Sequence, residues 1–287
     1  MIPAAFDYHA PRTLQEAIAT LQRYDGDARV LAGGMSLVPM MKLRLANPAA
    51  VVDLGRVEGL AYVHESDHGL AIGPMATHYA IESSDAVKRL APLLAEAAST
   101  VGDLQVRNRG TIGGSVAHAD PAADLPAALL AHEASFVIAG GPRRRTVRAD
   151  KMFVDAYTTA LNDGEIIAEV RVPGMPERTG WAYEKLPNRA SRFAVVGVAA
   201  LVTLAGDGAC ARARIAVTGA GPAPSRAKAA ERYLAGKPLT GDTLTKASRR
   251  AGLGIDFLAD VHGSAAYREH LTAELTRRAL VRAIDRA

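Results

Sequence analysis

The chain's 287 residues suffice for two or three compact domains, and 49% hydrophobic with 22% charged residues exclude a disordered polyelectrolyte. A net charge of +4 carried by scattered basic residues gives no aromatic–basic patch for nucleic acid, and no apolar run is long enough to span a bilayer. The one cysteine, Cys210, excludes a disulfide framework and any cysteine-held zinc or iron–sulfur site within the chain.

Residues 11–24 read as a helix. Leu14, Ala17, Ile18 and Leu21 recur at helical spacing, and Thr13 with Glu16 makes a capping box. Residues 28–32 form a short apolar strand running into Gly33-Gly34-Met35-Ser36. Residues 37–45 read as a helical turn and 50–54 as a second strand. Near Gly55 a second unit begins, with strands at 62–64 and 69–72, and Thr77 caps a short helix ending at Ser83. Residues 87–101 read as one helix, with Leu90, Leu93, Leu94, Ala97, Ala98 and Val101 on one face. A second glycine pair follows in Thr111-Ile112-Gly113-Gly114-Ser115, read as a loop. Residues 125–132 form an apolar helix, 135–139 and 144–147 a hairpin whose tip carries Arg143-Arg144-Arg145, and 165–172 a strand stopped by Pro173. Pro173-Gly174-Met175-Pro176 is the linker. Beyond it, strands at 180–186, 194–204 and 211–220 make an antiparallel meander, followed by helices at 225–234, 243–251 and 267–287.

The two glycine pairs carry the first functional expectation. Glycine lets the backbone turn with positive φ and lets its N–H groups approach a ligand, and successive N–H groups aimed into one concavity bind an anion without a lysine or arginine. Two such segments, each ending in a small polar residue, suggest a pyrophosphate clamped from two sides. On residues alone, Asp124 also fits a cap for the helix that follows, and Lys185 a surface strand lysine. Asp120 before Pro121 is a turn residue. His118 has no second ligand spaced near it, so no metal site and no catalytic residue is assigned.

Several segments then fall into one order: Ile2-Pro3 with Phe6-Asp7-Tyr8-His9, residues 32–36 with Leu37 and Pro39-Met40-Met41-Lys42, and residues 107–114. Asp120-Pro121 with Asp124, Trp181-Ala182-Tyr183-Glu184-Lys185-Leu186, Tyr267-Arg268 and Arg277-Arg278-Ala279-Leu280 complete it. In this order the chain resembles, over nearly its whole length, the FAD-binding medium subunits of molybdenum hydroxylases (the xanthine dehydrogenase family), carbon monoxide dehydrogenase flavoprotein subunits above all. The resemblance implies an α+β fold: two α/β lobes (1–54 and 55–175) forming an FAD-binding domain, then a C-terminal domain (176–287) of a three-stranded antiparallel sheet with a helical bundle. It implies that Ala32, Gly33, Gly34, Met35, Ser36 and Leu37 hold the FAD diphosphate from one side and Thr111, Gly113, Gly114 and Ser115 from the other. It places Asp124 on ribityl or ribose hydroxyls, Ile166 and Ile167 near the isoalloxazine, and Lys185 near the flavin's reactive end. Met35 and Ser115 stand where carbon monoxide dehydrogenase relatives usually have histidine and asparagine or aspartate.

The expected function is electron transfer within a complex. An iron–sulfur small subunit and a molybdenum large subunit carry the other cofactors, in a dimer of heterotrimers, and electrons leave FAD for a quinone, NAD or another acceptor. The alternative is a stand-alone FAD-dependent oxidase or dehydrogenase of a small organic substrate. That enzyme needs an acid or base over the flavin, and no histidine–tyrosine–carboxylate grouping stands out. The opening residues show no basic region followed by an apolar stretch, so the cytoplasm is the expected compartment, with membrane association only through the acceptor.

Overall fold

The computed structural model describes residues 2–287; Met1, the first residue of the expected first lobe, lies outside them. The first lobe comprises β1 (Asp7–His9), α1 (Leu14–Arg23), β2 (Ala28–Leu31), α2 (Leu37–Lys42) and β3 (Ala50–Asp53). Its sheet is parallel in the order β1-β3-β2. The capping box is formed as read: Thr13 Oγ1 accepts from Glu16 N–H, and the Glu16 carboxylate accepts from Thr13 N–H. The apolar stripe of α1 then closes over β3, burying Ala17, Leu21, Ala50 and Val52. β1 escaped the sequence reading because three residues are too few to display alternation.

The second lobe comprises β4 (Val63–Ser66), β5 (Gly69–Ile72), α3 (His78–Ser83), α4 (Asp85–Leu90), α5 (Pro92–Ser99), α6 (Leu104–Arg109), α7 (Ile112–His118) and α8 (Asp124–Ala131). It continues with β6 (Ser135–Ala139), β7 (Arg145–Arg148), α9 (Ala149–Met152), β8 (Phe153–Asp155), β9 (Thr158–Thr159) and β10 (Ile166–Pro173). Its five-stranded antiparallel sheet runs β4-β5-β10-β6-β7. The single helix expected over 87–101 is two. Pro92 lacks an N–H and forces Ala91 out of the helical region, to φ −145° and ψ 56°, so α4 ends there and Pro92 opens α5 at its first turn. α6, unread in the sequence, is started by Asp103, whose carboxylate accepts from Val106 N–H at 2.9 Å. Every residue of α8 is buried, as suits a helix packed on all sides.

The C-terminal unit comprises β11 (Thr179–Pro187), β12 (Ala194–Leu204), β13 (Cys210–Thr218), β14 (Ser225–Arg226), α10 (Lys228–Leu234), α11 (Gly241–Ser248) and α12 (Ala265–Ile284). The meander is present, with a fourth strand, β14, at the edge where helix was expected to begin. β12 alternates between two cores. Ala199 and Leu201 face the second lobe, while Val198, Ala200 and Val202 face the helices through Leu275, Ala279, Leu280 and Ala283 of α12. α12 lies so close to β11 that a Cβ on Gly180 would stand 1.7 Å from the Ala283 carbonyl oxygen.

Candidate functional site

The first glycine pair links β2 to α2. Gly34 has φ +75°, a conformation glycine adopts without strain. Among the described residues, the N–H groups of Gly33, Gly34, Met35, Ser36 and Leu37 donate to no protein acceptor, while two of the loop's carbonyls are used: Val38 N–H donates to Gly34 O and Met40 N–H to Ser36 O. Five consecutive amides thus stay open to a ligand, and successive backbone N–H groups are the kind of donor set that takes an anion.

The second glycine pair is not a loop. It is the first turn of α7, capped by Thr111. Its amides are consumed by the protein. Ile112 N–H donates to Ala76 O at 3.0 Å, Gly113 N–H to Pro74 O at 2.9 Å, Gly114 N–H to Thr111 Oγ1 at 3.1 Å and Ser115 N–H to Thr111 O at 2.9 Å. The glycines here serve packing, since a Cβ on Gly113 would stand 2.5 Å from the Pro74 Cβ. What this turn offers a ligand is hydroxyl: Thr111 keeps a proton to donate, and Ser115 Oγ has no protein partner among the described residues.

The two segments, nearly eighty positions apart in sequence, touch. A Cβ on Gly33 would lie 2.0 Å from the Arg109 carbonyl oxygen and 2.8 Å from Gly110 Cα; one on Gly114 would lie 3.6 Å from the Ala32 Cβ. The backbone of Arg109 and Gly110 therefore meets the first loop. Behind the junction sits His78, missed in the sequence. Its N–H donates to Gly110 O, and its ring fills the space a Cβ on Gly110 would need. Burial and the Arg107 cation push the His78 pKa down to about 4, so the ring is neutral.

Asp124 and Lys185 come together at a third point. Asp124 is in the first turn of α8, whose cap is Ala123, so it is not the capping residue. Its Oδ1 accepts from Tyr183 Oη at 2.6 Å and its Oδ2 from Lys185 Nζ at 2.7 Å; the ammonium also donates to Thr100 O at 3.1 Å. The two side chains are 4% and 5% exposed, which overturns the surface reading of the lysine. Burial pushes the Asp124 pKa up and the Lys185 pKa down, against their mutual attraction. A carboxylate has about four acceptor sites and an ammonium three donors, so each keeps capacity beyond these bonds. Ile166 and Ile167 open β10, both buried, the first in the core of the first lobe and the second in that of the second. Asp120 is the turn residue expected, its carboxylate accepting from Ala122 N–H at 2.9 Å. A separate groove of about 710 Å³, walled by Pro92, Glu96, Trp181 and Arg286, shares no residue with the glycine segments. Its Glu82 and Glu96 are already paired with arginines.

Residues 4–175 match the family model described as FAD binding domain in molybdopterin dehydrogenase, and residues 181–283 the one described as CO dehydrogenase flavoprotein C-terminal domain. The chain belongs to the FAD-binding medium subunits of the molybdenum hydroxylases. Within this family it is 41% identical to the carbon monoxide dehydrogenase medium chain of Hydrogenophaga pseudoflava, over 98% of this chain and 97% of that one. It is 38% identical to the 6-hydroxypseudooxynicotine dehydrogenase complex subunit alpha of Paenarthrobacter nicotinovorans, over 100% and 97%. A solved structure of carbon monoxide dehydrogenase from Hydrogenophaga pseudoflava, in a form lacking the Mo-pyranopterin moiety, superposes with a TM-score of 0.97 over all of both chains at 42% identity. This medium subunit is thus an oxidoreductase flavoprotein chain, and the open amides beside Gly33 lie inside its FAD-binding region. Tyr183, Thr100 and His78 complete the surroundings. Only Tyr183 had a sequence signal, its place two residues before Lys185 in one strand.

Proposed function

We propose that this medium subunit holds FAD where its two α/β lobes meet, with the diphosphate on the open amides of residues 33–37. The observation that carries this is the run of five N–H groups with no acceptor among the described residues, beside a contact so close that Gly33 has no room for a Cβ. The two glycine pairs then do different work. Gly33 and Gly34, with Ala32, Met35, Ser36 and Leu37, present preorganised dipoles to the phosphates. Gly113 and Gly114 bring α7 close, and Thr111 and Ser115 add hydroxyls. Met35, with 42% of its surface exposed, contributes its amide and a lining side chain, so the absent histidine is not needed to hold phosphate.

Asp124 accepts from ribityl or ribose hydroxyls with its spare lone pairs. Ile166 and Ile167 back the isoalloxazine from the start of β10. Lys185 turns its remaining N–H to the flavin N1–C2 edge, where a positive charge favours the reduced anion and raises the potential. Bound FAD supplies a centre that accepts electrons singly and releases them in pairs.

We infer that the electrons come from an iron–sulfur small subunit, fed by a molybdenum large subunit, in a dimer of heterotrimers. They leave to a quinone, NAD or another acceptor. Supporting this division, Cys210 is the sole cysteine and is buried, and among the described residues no group of three or more His, Cys, Asp or Glu could hold a metal. No helix among the described residues is long and apolar enough to cross a membrane; we place the complex in the cytoplasm, reaching a membrane only through its acceptor. We divide the chain into units 1–54, 55–175 and 176–287; the gap between the two family-model matches, from residue 175 to 181, supports the last boundary. Relatives of 41% and 38% identity are named for carbon monoxide and for 6-hydroxypseudooxynicotine, so the medium subunit does not choose the substrate, and carbon monoxide is one candidate.

The test is purification of the chain with its genomic neighbours. The expected result is one flavin per medium chain, bleached by the donor substrate only when the partner subunits are present. Bleaching of the isolated chain by an organic donor refutes this reading and favours the self-contained oxidase.

A further inference from the structure

Arg268 is the least expected side chain in the C-terminal unit, an arginine only 3% exposed. It sits in the first turn of α12 and uses both terminal nitrogens. Nη1 donates to Val195 O at 2.6 Å and to Gly219 O at 2.7 Å, while Nη2 donates to both Asp260 carboxylate oxygens at 2.7 Å. Val195 is near the start of β12, and Gly219 follows the end of β13. The guanidinium thus ties two strand ends together. Gly219 permits the approach: its φ is +77°, and a Cβ there would lie 2.7 Å from the Ala194 and Val195 carbonyl oxygens.

These strand ends grip the segment leading into Asp124. Gly219 N–H donates to Pro121 O at 2.8 Å and Ala194 N–H to Ala122 O at 3.2 Å. Thr218 Oγ1 lies 2.9 Å from Pro121 O and 2.8 Å from Ala123 O. The carbonyls of all three residues before Asp124 are therefore held by the strands that Arg268 binds. Asp260 extends the grip. It accepts from His262 N–H at 2.8 Å, and His262 Nδ1 lies 3.0 Å from Asn188 Nδ2 in the turn that follows Lys185 in β11. One buried cation thus holds the approaches to both members of the Asp124–Lys185 pair.

We propose that Arg268 is a positioning residue for the flavin: through Val195 O and Gly219 O it fixes residues 121–123 and so sets where Asp124 meets the cofactor. The proposal rests on the FAD reading above. It predicts that FAD affinity depends on a side chain in a different unit from the glycine segments.

The experiment compares the full wild-type chain with Arg268→Lys, Arg268→Met and Thr218→Val, reading FAD dissociation by flavin fluorescence titration and the visible circular dichroism of the bound flavin. Thr218→Val keeps shape and removes only the hydroxyl grip on residues 121–123, so it remains informative if Arg268→Met fails to fold. Losing one or two such hydrogen bonds predicts FAD affinity weaker by about tenfold in Thr218→Val, with Arg268→Lys between wild type and Arg268→Met. The visible dichroism changes with it, because the Asp124–Lys185 pair moves against the ring. A wild-type chain that takes up no flavin overturns the FAD reading and this inference together. A wild-type chain that binds flavin, alongside Thr218→Val and Arg268→Lys variants that lose thermal stability but keep its affinity and dichroism, overturns the role of Arg268 alone.

Discussion

Replacing Lys185 by methionine removes the only cation among the described residues that touches Asp124 while keeping most of the buried volume. Asp124 retains the Tyr183 hydroxyl as donor, but its charge, 4% exposed, loses its partner at 2.7 Å. Breaking a buried ion pair from one side costs about 3–5 kcal/mol when the orphaned charge stays ionised. A buried carboxyl has an escape, which is to take up a proton. Burial already pushes the Asp124 pKa above its ordinary value with Lys185 present, and without Lys185 it rises further. A carboxyl whose pKa is higher folded than unfolded binds more protons in the folded state. Its variant therefore loses stability as pH rises from the unfolded value near 4 through the folded one. Lys185→Met is thus expected to match wild type most closely near pH 5 and to fall behind it by about 3 kcal/mol at pH 8. Denaturant unfolding of the flavin-free chain at a series of pH values measures this. In Lys185→Met with Asp124→Asn no charge is left to bury, and the pH slope should vanish with most of the stability restored. A single variant no more pH-dependent than wild type, or a double variant no better than the single, refutes the claim that the pair is a buried ion pair.

The glycines of the first loop should separate by mechanism. Gly33→Ala drives a Cβ to 2.0 Å from the Arg109 carbonyl and must part the two segments; FAD affinity should fall at least ~100-fold, roughly 3 kcal/mol, in a fluorescence titration. Gly34→Ala meets only the side-chain ends of Leu31 and Val38, at 3.3 Å, which must give slightly, and adds the left-handed backbone cost of about 1–2 kcal/mol, so a loss of about tenfold is expected. His78, neutral in the fold with a pKa of about 4 against about 6.5 unfolded, should make the chain less stable as pH falls below 6.5, by up to about 3 kcal/mol near pH 4. Urea unfolding of His78→Gln between pH 7 and 4.5 should show a shallower decline than wild type. Thr13→Ala should cost about 1 kcal/mol through the lost cap, with flavin binding unchanged.

What could be read from the sequence is what local chemistry decides. The Thr13–Glu16 box and the Thr77 cap need only residues within one turn, and both are formed. β12 is apolar without interruption from Ala194 to Val202, as suits a strand buried on both faces. What escaped were features decided by one residue or by distant partners. Pro92 splits a stripe whose apolar spacing is continuous across it, because periodicity registers the side chain and not the missing N–H. The second glycine pair has the composition of a loop, but Thr111 caps it, and the donors it would have offered are taken by Pro74 and Ala76. The burial of Lys185 depends on a carboxylate 61 positions away, which no window of sequence contains.

The open amides of residues 33–37 are the heart of the proposed FAD site. Amide resonances of the full chain labelled with nitrogen-15 and titrated with FAD test it most directly. Large shifts are expected at Gly33, Gly34, Met35, Ser36 and Leu37, with the already bonded amides of Ile112, Gly113 and Gly114 moving far less. Tight FAD binding that leaves the first five unmoved while shifting those three would contradict it.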